Sequence, residues 1–239
     1  MLKNLLKKIL YKEKCSSDEY IKYLRKIGVA IGEDCTIYSP KNTVVDEQYP
    51  WMITIGDHVR ITSGVILLTH DYSWSVLKRL NQNCGAGVIL GASGKISIGN
   101  NVFVGMNTII LRNVSIGDNV IIGVGSVVTK DCESNWVYAG NPAKKIMTVE
   151  EYYNKRKDKQ LQDAKQLAIA YKERFGKIPG KEIFHEYFML FTQTNDLDDV
   201  FLSKMKLCDN FTDSKQYLSY CEPVFETFQI FIERCFINE

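Results

Sequence analysis

Residues 94–131 read GKISIGNNVFVGMNTIILRNVSIGDNVIIGVGSVVTKD, and in this stretch an aliphatic residue recurs at every sixth position. The repeated residues are Ile98, Val104, Ile110, Ile116, Ile122 and Val128. A period of six matches neither the two-residue alternation of a β-strand nor the 3.6-residue turn of an α-helix. The stretch is therefore not one long element, and a shorter repeating unit must account for it.

A short strand, a tight corner and another short strand explain a period of six, with each repeated aliphatic residue pointing inward. Glycine often follows that residue, as in Gly99 and Gly117, and is expected to support an unusual backbone at the corner. Three such sides close a triangular coil, and successive coils stack at about the 4.8 Å spacing of neighbouring strands. Because each coil buries its core only against the next, several coils are needed.

The same period occurs earlier in the chain but is out of phase with the later block. The earlier repeated residues include Ile31, Ile37, Ile55, Ile61 and Leu67. Leu67 and Ile98 are 31 positions apart, which is not a multiple of six. Residues 69–94, rich in polar residues and glycine, are therefore expected to leave the coil as a loop insertion, and long loops in compact domains tend to be functional. The repeat also lapses around Asp46 to Trp51.

These repeats resemble those of the hexapeptide-repeat acyltransferases over roughly residues 25–147. The resemblance includes YPWMITIGDHVRITSGVILLTHDYSW at residues 49–74 and VYAGNPAKKI at residues 137–146. THD ahead of an insertion and AGNPAK at the end are similar to the sugar O-acetyltransferase branch, which contains maltose, galactoside and capsule-polysaccharide enzymes. The resemblance implies that the coils form a left-handed parallel β-helix. The period of six alone does not set this handedness.

The predicted fold is mainly β: a left-handed parallel β-helix with an N-terminal helix and a helical C-terminal extension. The predicted segments are the N-terminal helix over 1–27, the β-helix over 28–147 and the extension over 148–239. Thr148 and Glu151 form a capping box, which predicts a helix running to Phe175. Further helices are predicted over 181–191 and from Ser214 to the end, with an interruption near Pro223, and aromatic residues of the extension are expected to pack a small core. We expect the extension to cover the β-helix or to shape acceptor choice.

The composition is that of a soluble globular protein and argues against several functional classes. Lys and Arg number 30 against 28 Asp and Glu, and the net charge of +2 does not indicate nucleic acid as a partner. No apolar run approaches a membrane span and the N-terminus lacks a secretory apolar core, so we expect a cytoplasmic protein. The basic residues 1–14 could contact the inner membrane surface peripherally. Alternatively, they could pack on the three-sided stack of coils, which we call the prism, or on a neighbouring subunit. Seven cysteines form no CxxC pair, so neither disulfides nor a metal site is predicted.

His70 is the candidate catalytic residue, because it lies where the earlier block of repeats ends and the insertion begins. Transfer of an acyl group from a thioester to a sugar hydroxyl needs a base, and histidine titrates near neutrality. The resemblance implies that the histidine at this position is that base and acts directly, without an acyl-enzyme. Of the other two histidines, His58 is expected at the surface and His185 in the helical extension.

The acceptor is expected to contact residues near the base. The resemblance implies that Asp46 and Glu47 lie near the acceptor hydroxyls, and a solvated acidic corner is the alternative. Tyr72 and Trp74 could stack on a sugar ring or anchor the loop. Asp71 could orient the base, but neighbouring residues in a strand point to opposite faces, which argues against it.

The resemblance implies that coenzyme A lies along the later block of repeats and that acetyl-CoA is the acyl donor. The candidate contacts are Phe103, Gly105, Met106, Gly123, Val124, Thr129, Lys130 and Lys144. Met147 stands where relatives often have arginine, so one phosphate contact of those relatives is not predicted here. The resemblance also implies a homotrimer with each site between two subunits.

These residues together predict an acetyl-CoA-dependent O-acetyltransferase that acts on a carbohydrate, either a polysaccharide or its precursor. Two alternatives remain open: N-acetylation of an amino sugar, and a non-catalytic trimeric β-helix that serves as a scaffold. The intact LTHD and VVTKD segments argue against the scaffold, because a scaffold needs neither of them.

Overall fold

The computed structural model describes residues 10–80, 86–193 and 196–237. The chain divides into two compact units, Met1–Tyr152 and Tyr153–Glu239. The first nine residues of the predicted N-terminal helix, and residues 81–85 of the predicted insertion, lie outside the described residues.

The first unit contains many short strands, which run in three separate sheets. The strands are β1 (Ala30–Ile31), β2 (Thr36–Ile37), β3 (Val44–Val45), β4 (Ile53–Ile55), β5 (Arg60–Ile61), β6 (Ile66–Leu68), β7 (Ile96–Ile98), β8 (Val102–Val104), β9 (Ile109–Leu111), β10 (Val114–Ile116), β11 (Val120–Ile122), β12 (Val127–Val128), β13 (Trp136–Ala139) and β14 (Lys144–Thr148). The sheet orders are β1-β4-β7-β10, β14-β13-β11-β8-β5-β2 and β12-β9-β6-β3. Up to β12, each strand pairs with the strand three places along the chain, which confirms the predicted triangular coil.

The coils stack in parallel register, so the repeated aliphatic residues form one continuous core. Val102 pairs with Val120 and Val104 with Ile122, and each pair is 18 residues apart, which is one full coil. The six repeated aliphatic residues of the later block are all at most 3% exposed. The fold is the predicted left-handed parallel β-helix, with helices at both ends.

At the corners that begin with Gly99 and Gly117, asparagine takes the left-handed backbone and the glycine does not. Asn101 and Asn119 have φ angles of 53° and 56°, whereas Gly99 and Gly117 do not adopt positive φ. A Cβ atom on Gly99 would lie 2.8 Å from the carbonyl carbon of Gly117 in the next coil. Glycine is therefore required here because neighbouring coils approach closely, and the expectation that it supports an unusual backbone is wrong at these positions.

The predicted N-terminal helix is interrupted in its described part. A 3₁₀ turn over Lys12–Cys15 precedes helix α1 (Ser17–Ile27). Ser16 between them has an extended backbone and caps the first turn of α1 with its side chain, so no continuous helix passes through it. Tyr20 and Leu24 are fully buried in the core of the first unit, so α1 packs on the prism.

Helices make up the C-terminal part of the chain. Helix α3 (Val149–Phe175) begins after the predicted capping box, in which Thr148 and Glu151 exchange hydrogen bonds. The other helices are α2 (Trp74–Leu77) in the insertion, α4 (Asp199–Met205), α5 (Phe211–Tyr220) and α6 (Phe228–Cys235). Among the described residues, no helix combines the length and the apolar character that a membrane span requires.

Residues 181–191 do not form the single helix that was predicted. They form two 3₁₀ turns, in which Tyr187 donates its backbone N–H to the carbonyl of Phe184 over 2.8 Å. This three-residue spacing winds the chain more tightly than an α-helix. The buried rings of the second unit are Phe184, Phe188, Phe191, Phe201 and Phe231. The prediction that the aromatic residues pack a core is therefore confirmed.

Candidate active site

His70 lies at the rim of the prism, two residues after β6, where the chain leaves the coil. The insertion returns beside it, because His70 forms an isolated antiparallel bridge with Ser93. Gly94 also donates its backbone N–H to the carbonyl of Thr69 over 2.8 Å. These two contacts close the base of the insertion. The His70 side chain is 15% exposed, so the imidazole is held firmly but remains accessible.

The carboxylate of Asp46 holds the imidazole of His70. Its Oδ2 atom lies 2.5 Å from Nδ1 of His70, although the two residues are 24 positions apart in the chain. The register explains this contact, because β3 pairs with β6 and Asp46 directly follows β3. The backbone N–H of Asp46 donates to the carbonyl of Leu67 over 3.0 Å. One coil of the prism therefore brings an acid next to the histidine.

Both carboxylate oxygens of Asp46 accept hydrogen bonds from the protein. Oδ2 accepts from the backbone N–H and the hydroxyl of Thr69 over 2.9 and 2.5 Å, and Oδ1 accepts from the backbone N–H of Gln48 over 2.9 Å. Burial raises the pKa of Asp46, but the hydrogen bonds from Thr69, Gln48 and His70 outweigh burial and hold the pKa below its ordinary value. Because an ionised carboxylate only accepts, Nδ1 of His70 carries a proton and Nε2 is left as the basic nitrogen.

The position of Asp46 differs from the expectation that it would bind the acceptor. Its side chain is only 3% exposed, and its oxygens accept hydrogen bonds from protein groups, so Asp46 contacts the imidazole of His70 and does not face solvent. Glu47 is exposed and accepts a hydrogen bond from the Tyr23 hydroxyl over 2.9 Å, which ties α1 to this corner. Asp71 accepts a hydrogen bond from Nε of Arg112 over 3.1 Å, which agrees with the argument against Asp71 as the orienting group.

Two pairs of aromatic rings contact the imidazole of His70, one pair on each side of it in the series of ring contacts. Tyr49 and Tyr72 each contact His70, with ring centroids 5.7 and 5.1 Å from it and planes at 87°. Trp51 contacts Tyr49 at 5.7 Å, and Trp74 contacts Tyr72 at 6.3 Å. We call Trp51, Tyr49, His70, Tyr72 and Trp74, in this order, the aromatic row.

Sequence reasoning did not identify Tyr49, Trp51, Gln48 or Thr69 as parts of the site. Gln48 matters because the Tyr72 hydroxyl donates to its Oε1 atom over 2.8 Å, which anchors this ring to the corner after β3. The available signal was the lapse of the six-residue repeat at this corner. A corner that departs from the repeat can carry side chains that the regular coil does not accommodate.

The residues predicted to contact the arm of coenzyme A lie together along one edge of the prism. Gly105 and Gly123 follow the paired strands β8 and β11. Gly105 is buried, and a Cβ atom on it would lie 2.6 Å from the backbone nitrogen of Val124, so glycine here lets two neighbouring coils approach closely. Phe103, Met106 and Val124 are 42%, 50% and 69% exposed. This edge combines closely stacked backbone with exposed apolar side chains.

The polar residues predicted for the nucleotide end of coenzyme A are also exposed. Thr129 and Lys130 follow β12, and Lys144 begins β14. Ala143 donates its backbone N–H to the carbonyl of Val127 over 2.9 Å, which brings the start of β14 beside β12. His70 follows β6 in the β12-β9-β6-β3 sheet, whereas Phe103 lies on β8 in a different sheet.

A second histidine–aspartate pair lies at another corner of the prism. Nδ1 of His58 is 2.5 Å from Oδ2 of Asp34, and Arg60 donates from Nη2 to the same oxygen over 2.6 Å. The two members are 24 residues apart, as in the pair at His70. Within residues 10–80, 86–193 and 196–237, no three His, Cys, Asp or Glu side chains are grouped so that they could hold a metal ion.

Comparisons with known proteins match the repeat region. A family model described as bacterial transferase hexapeptide (six repeats) matches residues 95–130. Protein CapG of Staphylococcus aureus is 45% identical over 155 residues, which cover 64% of this chain and 83% of that protein. A solved maltose O-acetyltransferase from Clostridium difficile 630 has 25% identity and a TM-score of 0.41, with 61% of this chain and 81% of that chain covered. A galactoside acetyltransferase in complex with coenzyme A has 26% identity and a TM-score of 0.43, with 64% and 83% covered.

Proposed function

The chain belongs to the hexapeptide-repeat acyltransferase family, as its repeats and its 45% identity to CapG over most of that protein show, and we propose that it transfers an acetyl group from acetyl-CoA to a carbohydrate hydroxyl. The observation that carries this proposal is the pairing of His70 with Asp46 at the rim of the prism. A buried carboxylate that fixes the proton of an accessible imidazole is the arrangement that a general base requires.

In the proposed mechanism, His70 accepts the proton of the acceptor hydroxyl at Nε2, and the oxygen then attacks the acyl carbon. Acetyl-CoA supplies the thioester whose acetyl group is transferred. Asp46 stabilises the imidazolium that forms, because its Oδ2 atom already bonds Nδ1 in a charge-assisted hydrogen bond. The proton held at Nε2 is then available to the sulfur that leaves.

The edge of the prism that begins at Phe103 is the proposed site for coenzyme A. The pantetheine arm would run past the backbone at Gly105 and Gly123, and the exposed side chains of Phe103, Met106 and Val124 offer it apolar contact. At the far end of this edge, the exposed residues Thr129, Lys130 and Lys144 would face the nucleotide, where the two lysines would meet its phosphates.

We place each site between two subunits of a homotrimer. This placement is supported by the position of His70 and Phe103 on different sheets of the prism. A neighbouring subunit that contributes its coenzyme edge would complete the site. Light scattering tests this placement, because a monomer in solution would rule it out.

The proposed acceptor is a sugar, either in a polysaccharide or in its precursor. The rings of Tyr72 and Trp74 can cover the apolar face of a pyranose, and Gln48 offers a polar group beside Tyr72. Glu47, the exposed neighbour of Gln48 in the chain, would bind an acceptor hydroxyl. Transfer to an amino group of a sugar would use the same base, so the acceptor screen below includes amino sugars.

The test is mass-spectrometric detection of acetylated product after incubation with acetyl-CoA and a panel of monosaccharides, amino sugars and oligosaccharides. The wild type should give product, and His70→Ala should lose about a hundredfold or more of the rate, the usual contribution of a general base. His58→Ala is the matched control, because it removes the histidine of the other histidine–aspartate pair. Equal product from wild type and His70→Ala would show that the base lies elsewhere, and no product from the wild type would reject the function.

A further inference from the structure

The aromatic row extends beyond the residues that the proposed function uses. Tyr72 and Trp74 form one end of the row and Tyr49 and Trp51 form the other, with the imidazole of His70 between them. Neighbouring ring centroids along the row are 5.1 to 6.3 Å apart. In these contacts His70 alone joins the two ends of the row, so a single sugar stacked on Tyr72 and Trp74 would leave Tyr49 and Trp51 uncovered.

The end of the row formed by Tyr49 and Trp51 is exposed and rigidly held. Trp51 is 65% exposed, a large apolar surface for a residue type that is highly buried on average. It lies in a 3₁₀ turn over Pro50–Met52, in which Met52 donates its backbone N–H to the carbonyl of Tyr49 over 2.9 Å. Pro50 is buried and fixes its own φ, so the turn is anchored. A ring presented on an anchored turn loses little entropy when a ligand covers it.

The chemistry around this end of the row suits a sugar. The rings of Tyr49 and Trp51 are uncharged and can meet the C–H face of a pyranose. Glu47 and Gln48 directly precede Tyr49 in the chain and both are exposed, so the corner that carries the rings also carries polar side chains. Sugar sites combine such flat apolar surfaces with a few polar groups that select the hydroxyls.

We propose that Tyr49 and Trp51 form a second sugar subsite, at the end of the aromatic row remote from Tyr72 and Trp74. The acceptor is then a chain of at least two sugar residues that passes the base, with the reacting hydroxyl at Nε2 of His70. This inference rests on the proposed function, because it assumes that the acceptor is a carbohydrate.

The experiment compares acceptors of increasing length: glucose, maltose and maltotriose, and N-acetylglucosamine, chitobiose and chitotriose. Acetylation is followed by mass spectrometry, and binding to each sugar is measured separately by isothermal titration calorimetry. The wild type should prefer the di- or trisaccharide in at least one series. Trp51→Ala should reduce that preference, expressed as a ratio of kcat/KM values, by about three- to tenfold, mainly through KM.

Two variants accompany Trp51→Ala. Tyr38→Ala removes an exposed ring of the same unit outside the aromatic row and should leave the preference for longer acceptors unchanged. Trp74→Ala removes the ring at the other end and should weaken acceptors of every length. Size-exclusion chromatography with light scattering checks that Trp51→Ala keeps the wild-type oligomeric state.

The outcomes separate the second subsite from the proposed function. Acetylation with no gain from length, or an equal loss for all lengths in Trp51→Ala, overturns the subsite and leaves the function intact. Length-dependent binding that Trp51→Ala weakens, without any acetylation, rejects the function and supports the subsite. A wild type that neither binds nor acetylates any of these sugars overturns both, and a changed oligomeric state with unchanged length preference overturns the subsite.

Discussion

At the scale of single residues, the state of Asp46 sets the chemistry of His70. An amide in place of the carboxylate can donate to Nδ1, which would turn the imidazole to the wrong tautomer. Asp46→Asn should therefore lower kcat about ten- to a hundredfold, in line with the contribution of about 1.5–3 kcal/mol from a hydrogen bond to a charged group. Product formation followed by mass spectrometry measures the effect. An unchanged kcat would show that the pairing does not position the base.

The lowered pKa of Asp46 also predicts how stability depends on pH. The folded pKa lies below the ordinary value of about 3.9, so the carboxylate stabilises the fold fully above that value. This stabilisation is lost as the pH falls through the folded pKa. The difference in free energy of unfolding between wild type and Asp46→Asn should be largest near neutral pH and shrink below about pH 4. Urea unfolding across this range measures it, and a difference that does not change with pH would contradict the prediction.

The position of His70 at the start of the insertion could be predicted from the sequence, whereas its contact with Asp46 could not. The position of His70 depends only on where the repeat stops, and that is visible in the chain. The contact with Asp46 depends on the pairing of β3 with β6 across 24 residues. The sequence carries the same 24-residue spacing at Asp34 and His58, so the spacing alone does not distinguish a site from a structural pair.

At the scale of elements, the coils depend on close approach at their corners. A Cβ atom on Gly105 would lie 2.6 Å from the backbone nitrogen of Val124, and the backbone cannot move aside as a flexible side chain can. Gly105→Ala should lower Tm by about 2 to 10 °C, the usual range for overpacking in a unit of this size. Calorimetry or circular dichroism measures the change.

Gly91→Ala is the matched control for Gly105→Ala. Nothing lies within 4 Å of a Cβ atom at Gly91, and its φ is not positive, so the added methyl has space and no backbone strain. Its Tm should stay close to that of the wild type. A similar fall in Tm for both variants would show that close approach between coils is not the cause.

The coils and the start of α3 could be predicted from the sequence, because a single physical requirement determines each of them. The period of six gives the coil because every sixth side chain must be buried, and the capping box at Thr148 starts α3 because it satisfies free backbone N–H groups. Residues 181–191 were not predictable in this way. Their ring spacing fits a helix, but the packed rings are also compatible with 3₁₀ turns, and tertiary packing selects between the two.

At the scale of the whole molecule, each compact unit has a buried cluster of its own. Removal of residues from 150 onward should therefore leave the β-helix folded and able to transfer an acetyl group. We expect acceptor preference to change, because the extension is proposed to shape acceptor choice. Circular dichroism, light scattering and the sugar panel test this together. Unchanged selectivity in a folded trimer would reject that role for the extension.

The insertion is clamped at its base by the bridge between His70 and Ser93 and by the hydrogen bond between Thr69 and Gly94. Because of this clamp, the position of the His70 imidazole should not depend on the length of the insertion. We expect changes in the insertion beyond Trp74 to leave the imidazole in place, because the clamp and the contact with Asp46 both hold it, so such changes could admit new acceptors. Acceptor choice can therefore evolve through changes in the insertion. It can also be engineered there, by grafting the corresponding segment of another member of the family.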